Sequence, residues 1–185
     1  MGLFMEAAVI PDSTEEEVRA ALSALESRNG QNGMQLETLA CQIAGQNGGV
    51  SVLFNEYCAG YAPLAQALSA QLKGLVLFLF IYDDDFWGYY CCENGELLDE
   101  FNPMPDYFEE VSEAERQRVS GSSALLAERF HVPEADLAGY LVPWDAGVLS
   151  GPECRKAYET DTYGIGDCWQ MADFMDKLGY PYMWQ

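Results

Sequence analysis

Positive charge is scarce in this chain. Nine of its 185 residues are lysine or arginine, against thirty aspartates and glutamates, so the formal net charge at pH 7 is −21. A field of that sign repels nucleic-acid backbones and anionic membrane surfaces, so neither is expected as a partner. Histidine is scarcer still: His131 stands alone. Six cysteines are present (Cys41, Cys58, Cys91, Cys92, Cys154, Cys168), but none forms a CxxC pair. The segment MGLFMEAAVIPDSTEEE has no basic stretch before its apolar residues and turns acidic at once, unlike a secretory signal. Met1-Gly2 lacks the following Ser/Thr of a myristoylation site. No apolar run reaches the roughly 18 residues that span a bilayer. The expectation is a cytoplasmic protein whose thiols are reduced and mostly buried.

What is abundant is apolar and aromatic: 49% of the residues are hydrophobic and 13% aromatic. A chain of this size and composition can bury a core without disulfide staples. One domain is expected, with a sheet part at 1–108 and a helical extension at 109–185 packed on it.

Residues 2–10 are apolar and close at Pro11, which reads as a strand. Ser13 opens S-T-E-E, with Glu16 three residues on, a capping-box spacing. Val18, Leu22 and Leu25 then repeat at helical period, and Asn29-Gly30 marks a stop. Residues 39–44 alternate, GQNGG (45–49) is a turn cluster, and Val50–Phe54 is apolar, which together read as a hairpin. Leu64, Ala67, Leu68 and Leu72 predict a helix over 61–73. The run LVLFLFIY (75–82) reads as a central strand, apolar on both faces. Asn94-Gly95 predicts a two-residue hairpin turn between 86–92 and 96–101. The fold expected is therefore α+β: a ferredoxin-like β-α-β-β-α-β core over 2–82, an added β-hairpin, and a helical C-terminal half. Helices are predicted at 112–119, 123–130, 133–141 and from a cap at Asp167 to Leu178, with a loop at 143–152.

The densest run of chemistry is IYDDDFWGYYCCENGELLDEFNPMPDYFEE, residues 81–110. Asp83, Asp84 and Asp85 are oxygen ligands of the kind Mg²⁺ and Ca²⁺ take, but three neighbours cannot all face one ion. A solvated turn capping an apolar strand is the reading adopted, with no metal. Cys91 and Cys92 point to opposite faces of a strand and have only acids nearby, which does not activate a thiol. His131, before Val132-Pro133, reads as a helix cap or turn, and no spacing pairs it with a particular thiol for a Cys-His dyad. YGIGD (163–167) carries one glycine pair where a phosphate-binding loop needs more. G-x-S-x-G is absent. Asn102 before Pro103 suits an Asx turn, and Tyr107 and Phe108 are expected to plug the sheet edge. No catalytic residue and no cofactor is assigned.

The stretch Gly95-Glu96-Leu97-Leu98-Asp99-Glu100-Phe101-Asn102, followed by Pro105-Asp106-Tyr107-Phe108, resembles a family of uncharacterised bacterial proteins carrying G-E-L-[LV]-D-x-[FY]-N-x-x-P-D-Y-F. The resemblance implies a bacterial origin and a strand-hairpin fold with a helical tail, and no reaction. By charge and size the chain also resembles small toxin-immunity proteins. The expected function is accordingly a non-enzymatic binding protein with an acidic face for a basic protein partner. Asp83, Asp84, Asp85, Glu96 and Asp99 are the expected contact acids, with Trp87 and Tyr89 as anchors should they be exposed. The alternative is an enzyme or small-ligand binder with a pocket between the sheet and the C-terminal helices.

Overall fold

In the computed structural model, which describes residues 2–32, 41–54, 61–149 and 155–184, the run LVLFLFIY is a strand buried along both faces. Leu75 through Ile81 are each 7% exposed or less, which is why the run shows no polar alternation. The elements in chain order are β1 (Met5–Pro11), α1 (Glu15–Asn32), β2 (Cys41–Gln46), β3 (Gly49–Phe54), α2 (Tyr61–Leu72), β4 (Leu75–Tyr82), β5 (Phe86–Glu93), β6 (Glu96–Phe101), α3 (Glu113–Arg118), α4 (Ser123–Phe130), α5 (Ala146–Leu149) and α6 (Gln170–Lys177). The fold is α+β, and its six strands form one antiparallel sheet in the order β2-β3-β1-β4-β5-β6. Register is set along β3, where Val52 faces Ala8 of β1 on one side and Ile43 of β2 on the other. No helix among the described residues is long and apolar enough to cross a membrane.

The chain divides into two compact units. An N-terminal unit comprises Met5–Phe80 and Tyr90–Leu98; a C-terminal unit comprises Met1–Phe4, Ile81–Tyr89 and Asp99–Gln185. Phe108, where the sequence suggested a division, falls inside the second.

In the N-terminal unit, α1 and α2 lay Val18, Leu22, Leu25, Leu64 and Leu68 over Ile10, Val52, Phe78 and Cys92 of the sheet. The cap of α1 sits one residue later than expected. Thr14 and Glu17 form the box: Glu17 N–H donates to Thr14 Oγ1 at 3.3 Å, and Thr14 N–H donates to Glu17 Oε2 at 2.9 Å. Asn29-Gly30 does not end α1, which continues to Asn32. Residues 39 and 40 of the expected β2 lie outside the described residues, as do Cys58 and Cys154. The β2–β3 and β5–β6 hairpins each turn on two residues of positive φ, Asn47-Gly48 and Asn94-Gly95, as a type I′ turn requires. The Gly95 N–H donates to Ser69 Oγ at 2.9 Å, which ties the second turn to α2.

In the C-terminal unit, Ser112 and Ser122 cap α3 and α4 with their side chains, and His131 ends α4 in the left-handed region (φ 57°). The helix expected over 133–141 is a single 3₁₀ turn, Glu134–Asp136, continued by i→i+3 bonds from Leu137 and Tyr140. Leu137 and Tyr140 are fully buried three residues apart. The loop expected over 143–152 contains the short α5. Asp167 does not cap α6, whose N-cap position is Trp169 with no side-chain cap; it makes a turn just before the helix, its Oδ1 accepting from Trp169 N–H at 2.9 Å. Asn102 makes the Asx turn, accepting from Met104 N–H at 2.9 Å.

Candidate functional site

The turn between β4 and β5 is made of Asp83, Asp84 and Asp85. Asp83 and Asp84 both adopt left-handed backbone (φ 50° and 64°), which a short polar side chain tolerates better than most. Asp85 N–H closes the turn on Tyr82 O at 2.9 Å. The N-terminal residues tie it down: Gly2 N–H donates to Asp83 Oδ1 at 3.0 Å, and Asp84 N–H donates to Leu3 O at 3.1 Å. Glycine is needed at position 2, because a Cβ there would lie 2.3 Å from Asp83 Oδ1. Asp83 is half-buried by this bond, and Asp84 and Asp85 are exposed.

Beside the turn lies an aromatic cluster. Tyr82 is its hub: Phe4 and Phe108 stand edge-on to it, with centroids at 5.0 and 5.3 Å, and Phe86 stacks on it at 5.6 Å. Tyr107 closes the group against Phe86 and Phe108. Phe86 is buried, but Phe4 is 38% exposed and Phe108 72% exposed. Phe108 therefore does not plug a sheet edge. It stands out of the surface between exposed Asp106 and exposed Glu109-Glu110. Tyr107 Oη donates to Asp85 Oδ2 at 2.5 Å, which holds the aromatic pair and the acidic turn together.

That bond raises the Tyr107 phenol from 10.0 to about 12; burial and the charges of Asp85 and Asp83 add to the effect. The protonated phenol is the bonded form, so the contact is intact below pH 10 and is lost as pH rises through about 12. In a phenolate absorbance titration, the curve that vanishes in Tyr107→Phe should have its midpoint near 12, and Asp85→Asn should move it back toward 10. An unmoved midpoint would mean that the Asp85 contact does not form in solution.

The remaining expected contact residues are distributed differently. Trp87 and Tyr89 are 0% exposed, which corrects their reading as anchors. Trp87 Nε1 donates to Gln170 Oε1 at 3.2 Å, and both rings pack on Phe174. Alternation along β5 sends both inward, where the C-terminal core takes them. Asp99 is half-buried and spent internally, accepting from Tyr89 Oη at 2.6 Å and from Ser122 N–H at 2.9 Å. Glu96 is exposed at the start of β6. The structure thus brings together Asp83, Asp84 and Asp85, adds Phe4, Tyr107 and Phe108, and leaves Trp87, Tyr89 and Asp99 to the interior. The usable signal in the sequence was PDYFEE, a Tyr-Phe pair set between acids.

Other candidate groups are engaged. His131 is an exposed helix cap. Burial followed by the charge of Asp167 pushes the Cys168 thiol up to about 11. Cys91 and Cys92 are both fully buried, so neither reaches the surface. At the start of YGIGD, the Thr162 and Tyr163 amides donate to Asp173 Oδ2 at 2.9 and 2.7 Å, so they are already answered by an internal carboxylate. Among the described residues, no group of three carboxylate, thiol or imidazole side chains is placed to hold a metal ion.

Two concavities belong to the C-terminal unit. One of about 440 Å³ is lined by Val142, Val148, Ile165, Arg155 and Lys156. A groove of about 410 Å³ runs between the 102–106 turn, α3 and the 141–145 segment, with Trp144 in its wall. Trp144 N–H donates to Pro103 O at 2.9 Å, which joins two of those walls. Its indole N–H is buried with no acceptor among the described residues, a state that costs about 1–3 kcal/mol until an acceptor arrives. No family model, no curated protein and no solved structure matches this chain.

Proposed function

We propose that this chain works by binding: its acidic aromatic surface docks on a basic protein, in the manner of a small immunity protein of the bacterial cytoplasm. One observation carries the reading. Phe108, 72% exposed, is held edge-on against Tyr82 while exposed carboxylates flank it on both sides in the chain. An aromatic ring fixed in place loses little freedom on binding, and a carboxylate rim selects arginine or lysine on the other side. Arginine suits both features, because its guanidinium can lie on the ring and pair with a carboxylate. The charge of −21 would speed encounter with such a partner at low salt. We read the first four strands as a ferredoxin-like core extended by β5 and β6; their neighbour order β4-β1-β3-β2 supports this.

The test is capture from the native host at low and moderate salt, comparing the chain with Phe108→Ser. A basic protein should be retained by the parent, and the variant should bind it roughly 30-fold less tightly with an unchanged melting temperature. Equal retention by both, or no basic protein at either salt, defeats the proposal.

A further inference from the structure

We infer that the groove beside Trp144 takes an extended, arginine-bearing segment of that basic partner, an inference that rests on the binding function just proposed. The charge of the groove is the first ground. Asp106, Glu113 and Asp145 line it against one cation, Arg116. Arg116 is already consumed: Nε and Nη2 fork onto the two oxygens of Asp106 at 2.9 Å each, and Nη1 lies 3.5 Å from Glu113. Arg116 offsets Asp106, and Asp145 Oδ1 also accepts from the Gly147 and Val148 amides at 2.8 and 3.0 Å, so the lining keeps the net negative charge of Glu113 and Asp145, which disfavours an anion and favours a cation.

The rest of the lining selects a polypeptide over a lone cation. Pro105, Leu141, Pro143 and Trp144 give an apolar wall for an aliphatic side chain. Trp144, 4% exposed, carries the indole N–H that lacks an acceptor among the described residues. A backbone carbonyl of an extended segment is such an acceptor. The groove is also continuous in the chain with the aromatic surface: Asp106 lines it, and Tyr107-Phe108 follow directly. A partner anchored on Phe108 would therefore run its chain past Asp106 into the groove.

The probe is a capped hexapeptide of alternating arginine and leucine, with its affinity measured by calorimetry at moderate salt. Glu113→Lys and Glu128→Lys form a matched pair. Both side chains are about equally exposed (73% and 74%), each is paired with an arginine, and each substitution changes the net charge equally. Only Glu113 lines the groove. Glu113→Lys should weaken the peptide about tenfold while Glu128→Lys stays within about twofold. Trp144→Phe, which keeps a six-membered aromatic ring and removes the N–H with the pyrrole half of the indole, should weaken it about fivefold at an unchanged melting temperature. Phe108→Ser should leave the peptide within about twofold, because the short probe occupies the groove alone. Equal weakening by Glu113→Lys and Glu128→Lys would mean attraction by overall charge only and would overturn the inference. Loss of the peptide in Phe108→Ser but not in Glu113→Lys would also overturn it, while leaving the aromatic surface as the docking site. Retention of the peptide in the groove with no host protein captured would instead defeat the proposed function alone.

Discussion

Phe174→Ala should lower the unfolding free energy by roughly 3–5 kcal/mol, the range for a large aromatic truncated in a core that cannot collapse around the gap. Phe174 is fully buried on α6 and holds three other rings of the C-terminal unit. Trp87 lies at 5.0 Å, Tyr89 stacks parallel at 6.0 Å, and Tyr140 meets it edge-on at 5.5 Å. All three rings are fixed by polar bonds of their own, Trp87 to Gln170, Tyr89 to Asp99 and Tyr140 to Asp161. They cannot slide into the cavity without breaking those bonds, so collapse is limited and the cost belongs at the upper end. Phe174→Leu should cost less than half as much, since most of the volume is kept. Urea denaturation followed by tryptophan fluorescence measures both. A Phe174→Ala variant within about 1 kcal/mol of the parent would show that this aromatic core is not packed as described.

Asp161→Ala should be nearly as damaging, at roughly 3–4 kcal/mol. The Asp161 carboxylate is 4% exposed and accepts from Tyr140 Oη at 2.8 Å and from Tyr158 N–H at 2.9 Å. Lys177 Nζ stands 3.9 Å away and also lies over the Tyr158 ring, 5.2 Å from its centroid. Alanine removes the acceptor and leaves a fully buried hydroxyl and a backbone N–H unanswered, each costing about 1–3 kcal/mol. Asp161→Asn keeps one acceptor oxygen and should lose about half as much. The two routes can be separated with Tyr140→Phe, which deletes one orphaned donor. The Asp161→Ala, Tyr140→Phe double variant should be more stable than the sum of the two singles implies, by about 1 kcal/mol. Strict additivity would show that the bond contributes nothing.

Local features were legible where local forces decide them. The β4 strand is an unbroken apolar run of eight residues rich in Val, Ile and aromatics, the pattern of a strand buried on both faces. Asn94-Gly95 supplies the two positive φ values its turn requires, and α4 spans the predicted residues, with Ser122 as its cap. The Asx turn at Asn102 follows from a side chain that bonds to nearby backbone, and the acidic turn at Asp83–Asp85 closes on a local backbone bond from Asp85 N–H to Tyr82 O. The misplaced features are those in which neighbours in the chain were equivalent candidates. Ser13 and Thr14 each have a glutamate three residues on, so the spacing alone does not choose between them, and the bonds form at Thr14 and Glu17. Residues 133–141 carry helix-compatible residues, but only Glu134–Asp136 forms a helical turn, a 3₁₀ one, with Leu137 and Tyr140 buried after it.

For the candidate site, the sequence by itself determined the charge of −21, the acidic turn and the presence of exposed-or-buried aromatics next to acids. Only the tertiary structure decided which aromatics face water. Trp87 and Phe108 look alike in the sequence, each a large ring near carboxylates. Trp87 sits on a strand whose alternation points it at the α6 core, where Gln170 answers its indole N–H. Phe108 follows an irregular Pro-rich turn with no period to assign it a side, and its exposure depends on Tyr82 and Tyr107 having filled the space beneath it. Periodicity carries burial only inside regular elements; outside them, a side chain goes where long-range packing leaves room.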